Sequence, residues 1–245
     1  MAALAFAACS DPGPLNGLAK GEVGRVVRVI DGDALVLDTG LVVRLAGIEA
    51  PSPERRGRRG QPYADASARV LEDLAMGREV RLYYPGLTRD RYDRALAYVE
   101  TADALGPKLW LNRELVRRGS ARVRVYPDTS ARAELLLAAE QEARASAAGL
   151  WGETYYRIRS AGDLPETFIG FAIVRVESLR PAELAVDQDY AACQFRDGIA
   201  PFQVRIAHSA ADLCADLTGP LIARGFVRDA EIEITHRLNL QTLPN

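Results

Sequence analysis

Residues 23–45 read VGRVVRVIDGDALVLDTGLVVRL. β-Branched residues crowd three short runs, 23–30, 34–37 and 41–45. The breaks between them fall on Asp31-Gly32-Asp33 and on Thr39-Gly40. Runs of this length joined by tight Asp/Gly turns predict a curled antiparallel meander. A polar, Arg-rich loop at 51–60 follows. Ala64, Ala68, Leu71 and Ala75 then recur at helical spacing, and Gly77 ends that helix. Two further strands are predicted at 79–84 and 94–99, with the turn Asp90-Arg91-Tyr92-Asp93 before the second. A short helix at 111–118 closes on Gly119, and an extended piece at 121–126 leads into a long helix at 130–148.

Three strands, a helix, two strands and two helices, in that order, predict a five-stranded OB-type barrel with packed helices. The expected fold class is mainly β with α (α+β). Residues 153–166 are polar, contain Gly162 and Pro165, and read as a linker. β-Patterned runs return at 168–177, 190–195, 201–206, 221–228 and 230–235, with a helix at 210–216. They predict a second small β-barrel-like domain over 167–245, OB-like in its strand count. The domain scheme is therefore a leader and tether over 1–20, a barrel over 21–152, a linker, and the second domain.

The chain has 245 residues, 48% hydrophobic and 26% charged, with a net charge of −2. That composition supports a real core, and the whole-chain charge carries no nucleic-acid signal. Residues 21–152 hold 21 Lys+Arg against 19 Asp+Glu, and the remainder holds 10 against 14, so any cationic surface belongs to the first domain. Nearly all the cations are arginine, which forks onto phosphate or carboxylate as lysine does not. No apolar run is long enough to predict a transmembrane helix. His208 and His236 have no metal-type neighbours in the sequence and read as structural. No zinc spacing, phosphate-cradling glycine loop or Ser/His/Asp arrangement stands out.

Three segments carry the chemistry: Val29-Ile30-Asp31-Gly32-Asp33, Val43-Arg44-Leu45-Ala46-Gly47-Ile48-Glu49-Ala50-Pro51, and Asp90-Arg91-Tyr92-Asp93-Arg94-Ala95-Leu96-Ala97-Tyr98-Val99. Smaller echoes are Asn112, Leu115, Val116, Gly119 and Ala121, then Ala143-Arg144 and Gly149-Leu150-Trp151. Hard carboxylate oxygens at Asp33 and Glu49 suit a Ca²⁺ ion. Arg44 and Arg94 suit a phosphate and the charge that develops on it. Taken alone, Asp31-Gly32-Asp33 is an ordinary turn, and Arg44 and Arg94 are ordinary strand arginines. In this order, over about 130 residues, the segments resemble the staphylococcal nuclease family. The resemblance implies Ca²⁺ held by Asp33, Glu49 and the backbone carbonyl of Ala50. It implies a scissile phosphate gripped by Arg44 and Arg94, a terminal phosphate held at Arg91 and Tyr92, and sequence-nonspecific DNA or RNA as substrate. A weaker resemblance links Phe171-Ala172-Ile173-Val174, Ile222-Ala223-Arg224-Gly225-Phe226 and Glu231 to His236 to a small β-domain in some bacterial envelope relatives of that family.

The departures from the family lie at the centre of the site. Glu49 stands where the family has an aspartate. Ser52 follows Pro51 where the family has the glutamate that positions or deprotonates the attacking water. Losing a general base costs on the order of 10²–10⁴ in rate. Glu54 is a displaced candidate for that role, but a misplacement of about 1 Å alone costs on the order of 10²-fold. The expectation is a Ca²⁺-dependent phosphodiester endonuclease with an atypical site. The alternative is a catalytically inactive nuclease-like barrel that binds nucleic acid or protein in the cell envelope. Arg55, Arg56, Arg58 and Arg59 form a cationic loop, either a phosphate-tracking patch or a solvated loop.

Phe6-Ala7-Ala8-Cys9 resembles a bacterial lipoprotein cleavage box, without the charged start and longer apolar stretch of a complete signal. The expectation is a truncated signal, lipidation at Cys9, and a place in the bacterial envelope or periplasm, or alternatively secretion. With Cys9 lipidated, Cys193 and Cys214 remain as an even pair, either a disulfide or two buried thiols. Labelled palmitate is expected to enter the protein when it is made from a full-length start. Incorporation undiminished by Cys9→Ser rules out a lipid at Cys9.

Overall fold

The computed structural model describes residues 13–243, except 56, 58, 105–106, 184–190 and 216. Cys9 lies outside the described residues. The meander forms as β1 (Ala19–Asp31), β2 (Ala34–Leu37) and β3 (Val42–Leu45), followed by a two-residue β4 (Ile48–Glu49). After α1 (Ala64–Ala75) come β5 (Glu79–Tyr84), β6 (Ala95–Thr101), α2 (Leu111–Arg117), β7 (Arg122–Val123) and α3 (Ala133–Ala145). The order β1-β2-β3-β6-β5 closes a barrel. β3 and β6 run parallel, and the other pairings in the ring are antiparallel. Closure depends on β1, whose register slips between Val26 and Arg28 and between Val29 and Asp31. Such irregularities bend a strand, so one end of β1 pairs with β2 and the other with β5.

The barrel core is built on Leu35, Leu37, Val43, Leu45, Leu82 and Val99, with Leu115 from α2 and Leu136 from α3 packed on it. Asn112 of α2 is fully buried. Its Oδ1 accepts the Val99 N–H at 2.9 Å and its Nδ2 donates to the Ala46 carbonyl at 2.8 Å. One amide thus ties α2 to β6 and to the loop that carries β4. Gly32 is required by close approach. A Cβ there would meet the Ser67 side chain of α1 and come within 2.7 Å of the Ala50 Cβ.

The second unit is an open half-barrel of eight strands: β8 (Arg159–Ser160), β9 (Gly170–Val176), β10 (Leu179–Ala182), β11 (Ala191–Asp197), β12 (Gln203–Ala207), β13 (Leu221–Arg228), β14 (Glu231–Ile234) and β15 (Leu240–Thr242). The order is β10-β11-β12-β14-β13-β9-β8, with β15 also on β13. Val174, Val204, Ile206, Ile232 and Ile234 are among its fully buried residues. The fold class is mainly β with α, as the sequence pattern predicts, and the first barrel is closed.

Several boundaries differ from the sequence expectation, each for a local reason. The helix expected over 130–148 runs only Ala133–Ala145, because 127–129 form a 3-10 turn and Arg132 is left-handed (φ 69°). The helix expected over 210–216 is a 3-10 stretch, His208–Cys214, broken by non-helical backbone at Ala210. Residue 216 lies outside the described residues. Residues 153–166, expected as a linker, hold short 3-10 turns and β8, with Tyr156 and Ala161 buried. Cys193 and Cys214 are joined in a disulfide across 6.0 Å between their Cα atoms. Among the described residues no helix is long and apolar enough to cross a membrane.

The two units meet through charge. Arg224 of β13 pairs with Glu140 of α3 at 2.7 Å, with side chains 7% and 1% exposed. Glu140→Leu leaves Arg224 a buried cation without its carboxylate. We expect a loss of about 3–5 kcal/mol, part of which returns in Glu140→Leu/Arg224→Met. Urea denaturation of the set checks this, and equal loss in single and double variants refutes it.

Candidate active site

A cavity of about 560 Å³ opens where the turns of the barrel converge. Asp31 reaches it from the end of β1, and Asp33 from the turn between β1 and β2. Arg44 comes from β3, Glu49 from β4, and Arg94 from the residue before β6. The parallel pairing of β3 with β6 sets Val43 opposite Ala95, so the residues preceding β6 lie beside β3. Asp93 is left-handed (φ 62°), which turns the chain sharply just before Arg94. Arg91, Tyr92, Ser52, Ala50, Arg124 and Tyr126 also line it.

Arg44 is the hub. Its Nη1 pairs with Asp33 Oδ1, and its Nη2 reaches Glu49 Oε2 at 3.1 Å and the Ile48 carbonyl at 3.4 Å. Asp33 Oδ2 accepts the Ala50 N–H at 2.6 Å. Glu49 Oε2 takes a second cation, Arg124 Nη1, at 2.8 Å. Burial pushes the Glu49 carboxyl upward, but Arg44 and Arg124 outweigh it and hold the group below its ordinary value. Burial lowers the Arg44 guanidinium, opposed by Glu49 and Asp31. Asp90 organises the other arginine: its Oδ2 accepts Arg94 Nε at 2.7 Å, and its Oδ1 accepts the N–H groups of Tyr92 at 2.9 Å and Arg94 at 3.1 Å. Tyr92 is 64% exposed. The guanidiniums of Arg91 and Arg94 lie 4.8 and 5.4 Å from its ring centroid.

The structure gathers Asp33, Arg44, Glu49, Ala50, Arg91, Tyr92 and Arg94 around this one cavity. Ser52 lines it too, with its N–H donated to Gln61 Oε1 at 2.9 Å. Glu54 does not join them. It is exposed and lines a neighbouring cavity with Arg59, Gln61 and Tyr63. In the Arg loop, Arg55 pairs with Asp31 Oδ2 at 2.8 Å, and Arg56 and Arg58 lie outside the described residues. Arg124 and Tyr126 are additions. The alternation Arg122, Arg124, Tyr126 along an extended segment is their sequence signal, since period two puts all three on one side of a strand.

Among the described residues no group of three or more His, Cys, Asp or Glu side chains is arranged as a metal site. The oxygen donors of Asp33 and Glu49 nonetheless suit Ca²⁺ in kind. Arg44 stands between them, so a cation taking both carboxylates displaces a guanidinium pairing.

Comparison with known proteins agrees with the geometry. The family model described as "Staphylococcal nuclease homologue" matches residues 42–153. A thermonuclease of Staphylococcus intermedius is 32% identical over 135 residues, covering 54% of this chain and 77% of its own. An uncharacterized endonuclease of Escherichia coli is 34% identical over 131 residues, covering 53% and 77%. Another, of Haemophilus influenzae, is 35% identical over 133 residues, covering 53% and 66%.

The lowered Glu49 value gives a stability prediction. A carboxylate whose folded pKa is depressed contributes stability that is present above its unfolded pKa, about 4.3, and is lost as pH falls through the folded value. Glu49→Gln is expected to be less stable than wild type at pH 7 by about 1–3 kcal/mol, the gap closing as pH drops below about 4. Urea titrations at several pH values measure it, and a gap independent of pH contradicts the assignment.

Proposed function

We propose, from the premise that this chain belongs to the staphylococcal nuclease homologues, that it is a phosphodiester-cleaving endonuclease acting on DNA or RNA without sequence specificity. The observation that carries the reading is the convergence of Asp33, Arg44, Glu49 and Arg94 on one cavity. Arg44 and Arg94 meet the scissile phosphate and stabilise the charge that grows on its oxygens. Arg91 and the exposed Tyr92 hold the neighbouring phosphate. Asp33, Glu49 and the Ala50 carbonyl are the residues to hold Ca²⁺. When bound, the ion supplies charge stabilisation and a more acidic water. The 5′-oxygen leaves and a 3′-phosphate remains.

Ser52 offers no base at neutral pH, so the rate is reduced, on the order of 10²–10⁴-fold, unless a carboxylate of the cavity substitutes. That one residue favours a second reading, a nuclease-like barrel that binds nucleic acid or protein without cutting it. The lipoprotein-like box at Cys9 supports an envelope or periplasmic location, alternatively secretion, and the Cys193–Cys214 disulfide suits an oxidising compartment.

The protein is to be incubated with single- and double-stranded DNA and RNA, in Ca²⁺ or in chelator. Calcium-dependent cleavage that falls about 10²–10³-fold in Arg94→Ala, as when one charge-stabilising donor is lost, supports the enzyme. Silence in wild type with cleavage gained in Ser52→Glu overturns it in favour of the binding module.

A further inference from the structure

The second unit plays no part in the reading above, yet it grips the strand that leads to Arg124. β7 is held from both sides. On one side Ile48 of β4 pairs with Val123 and Glu49 with Arg122, and the Arg124 N–H donates to the Gly47 carbonyl at 2.9 Å. On the other side Glu140 accepts the Val123 N–H at 2.7 Å, and Arg224 donates to the Val123 carbonyl at 3.2 Å. Asn239 donates to the Val125 carbonyl at 3.4 Å. Successive residues of the segment therefore bond alternately to the site loop and to the clamp behind it.

The arginines of this strand converge on Phe171 of β9. Arg122 donates to the Phe171 carbonyl at 3.1 Å, and its guanidinium lies 4.7 Å from the Phe171 ring centroid. The Arg124 guanidinium lies 5.7 Å from the same centroid and 5.0 Å from that of Tyr126. From there Arg124 Nη1 reaches Glu49 at 2.8 Å. An aromatic face compensates a guanidinium for lost water and limits the rotamers a long side chain visits. Phe171 is 8% exposed, so its ring is a fixed wall.

We infer that the second unit is a positioning element of the nuclease site: Phe171 holds Arg124 in the place from which it grips Glu49. The inference rests on the proposed function. Arg124 lines the reacting cavity, and Phe171 acts only through it, which makes Phe171 a positioning residue. Its effect belongs in kcat more than in KM, because it fixes a carboxylate of the site and touches no substrate.

The test uses the full chain and the variants Phe171→Leu, Phe171→Tyr, Arg124→Gln and Phe171→Leu/Arg124→Gln. Phe171→Leu is expected to lower kcat on the order of ten- to a hundredfold with KM nearly unchanged. Phe171→Tyr, which keeps the ring, restores most of that loss. The double variant is expected to cleave no more slowly than Arg124→Gln. A Phe171→Leu loss that persists in full in the Arg124→Gln background overturns the inference, as does an unchanged kcat. If wild type cleaves nothing, the proposed function fails, and the coupling is read from unfolding instead. Urea midpoints of Phe171→Leu, Glu49→Gln and their double variant are then compared. Non-additive shifts show that the ring reaches Glu49 through Arg124, and additive shifts overturn it.

Discussion

A guanidinium taken out of water needs counter-charges on more than one side, and Arg44 finds them on two different segments, a turn and a short strand. Asp33 comes from the turn between β1 and β2, and Glu49 from β4. The closed ring brings both within reach of β3. Breaking the ring separates the partners, and losing either partner leaves a buried cation poorly compensated. The geometry of the whole cavity hangs on this three-way contact, with Asn112 and Gly32 keeping the turns at the distance it requires.

Glu49 shows how far the site is balanced from within. It is shared between Arg44 and Arg124, so the cavity holds its own cations against its own acids. Binding of a phosphate or of a divalent ion is therefore an exchange of partners. A phosphate competes with the carboxylates for guanidinium, and a metal competes with guanidinium for carboxylates. Both exchanges pull in the same direction, since an ion that takes Asp33 and Glu49 frees Arg44 for an anionic substrate.

Much of this was legible in the sequence, for physical reasons. The meander shows itself in β-branched runs broken by Asp31-Gly32-Asp33 and Thr39-Gly40, both local signals. Asp33, Arg44, Glu49 and Arg94 are legible because three segments occur in the order that resembles the nuclease family; taken singly each is an ordinary turn or strand residue. Arg124 lies on a segment legible as extended, but its partner is not legible, because it meets Glu49 across 75 positions through the pairing of β7 with β4, two strands of two residues each. Two residues hold too little pattern to announce which strand they pair with. Glu54 misleads for the opposite reason. It is near the site in sequence, yet its side chain lines a different cavity. In the second unit β8, β10 and β15 are two, four and three residues long, and most of its 3-10 turns are too short to show a period.

The open sheet has one more property that follows from a single ring. β10 stands at its edge, four residues long, and contains Pro181. Proline lacks the N–H that an incoming strand would pair with, and the neighbouring Arg180 is exposed. Short edges broken by proline and charge discourage strand-to-strand growth. The half-barrel therefore keeps an unclosed margin that a missing N–H makes a poor template for another chain, a covalent device in place of closure.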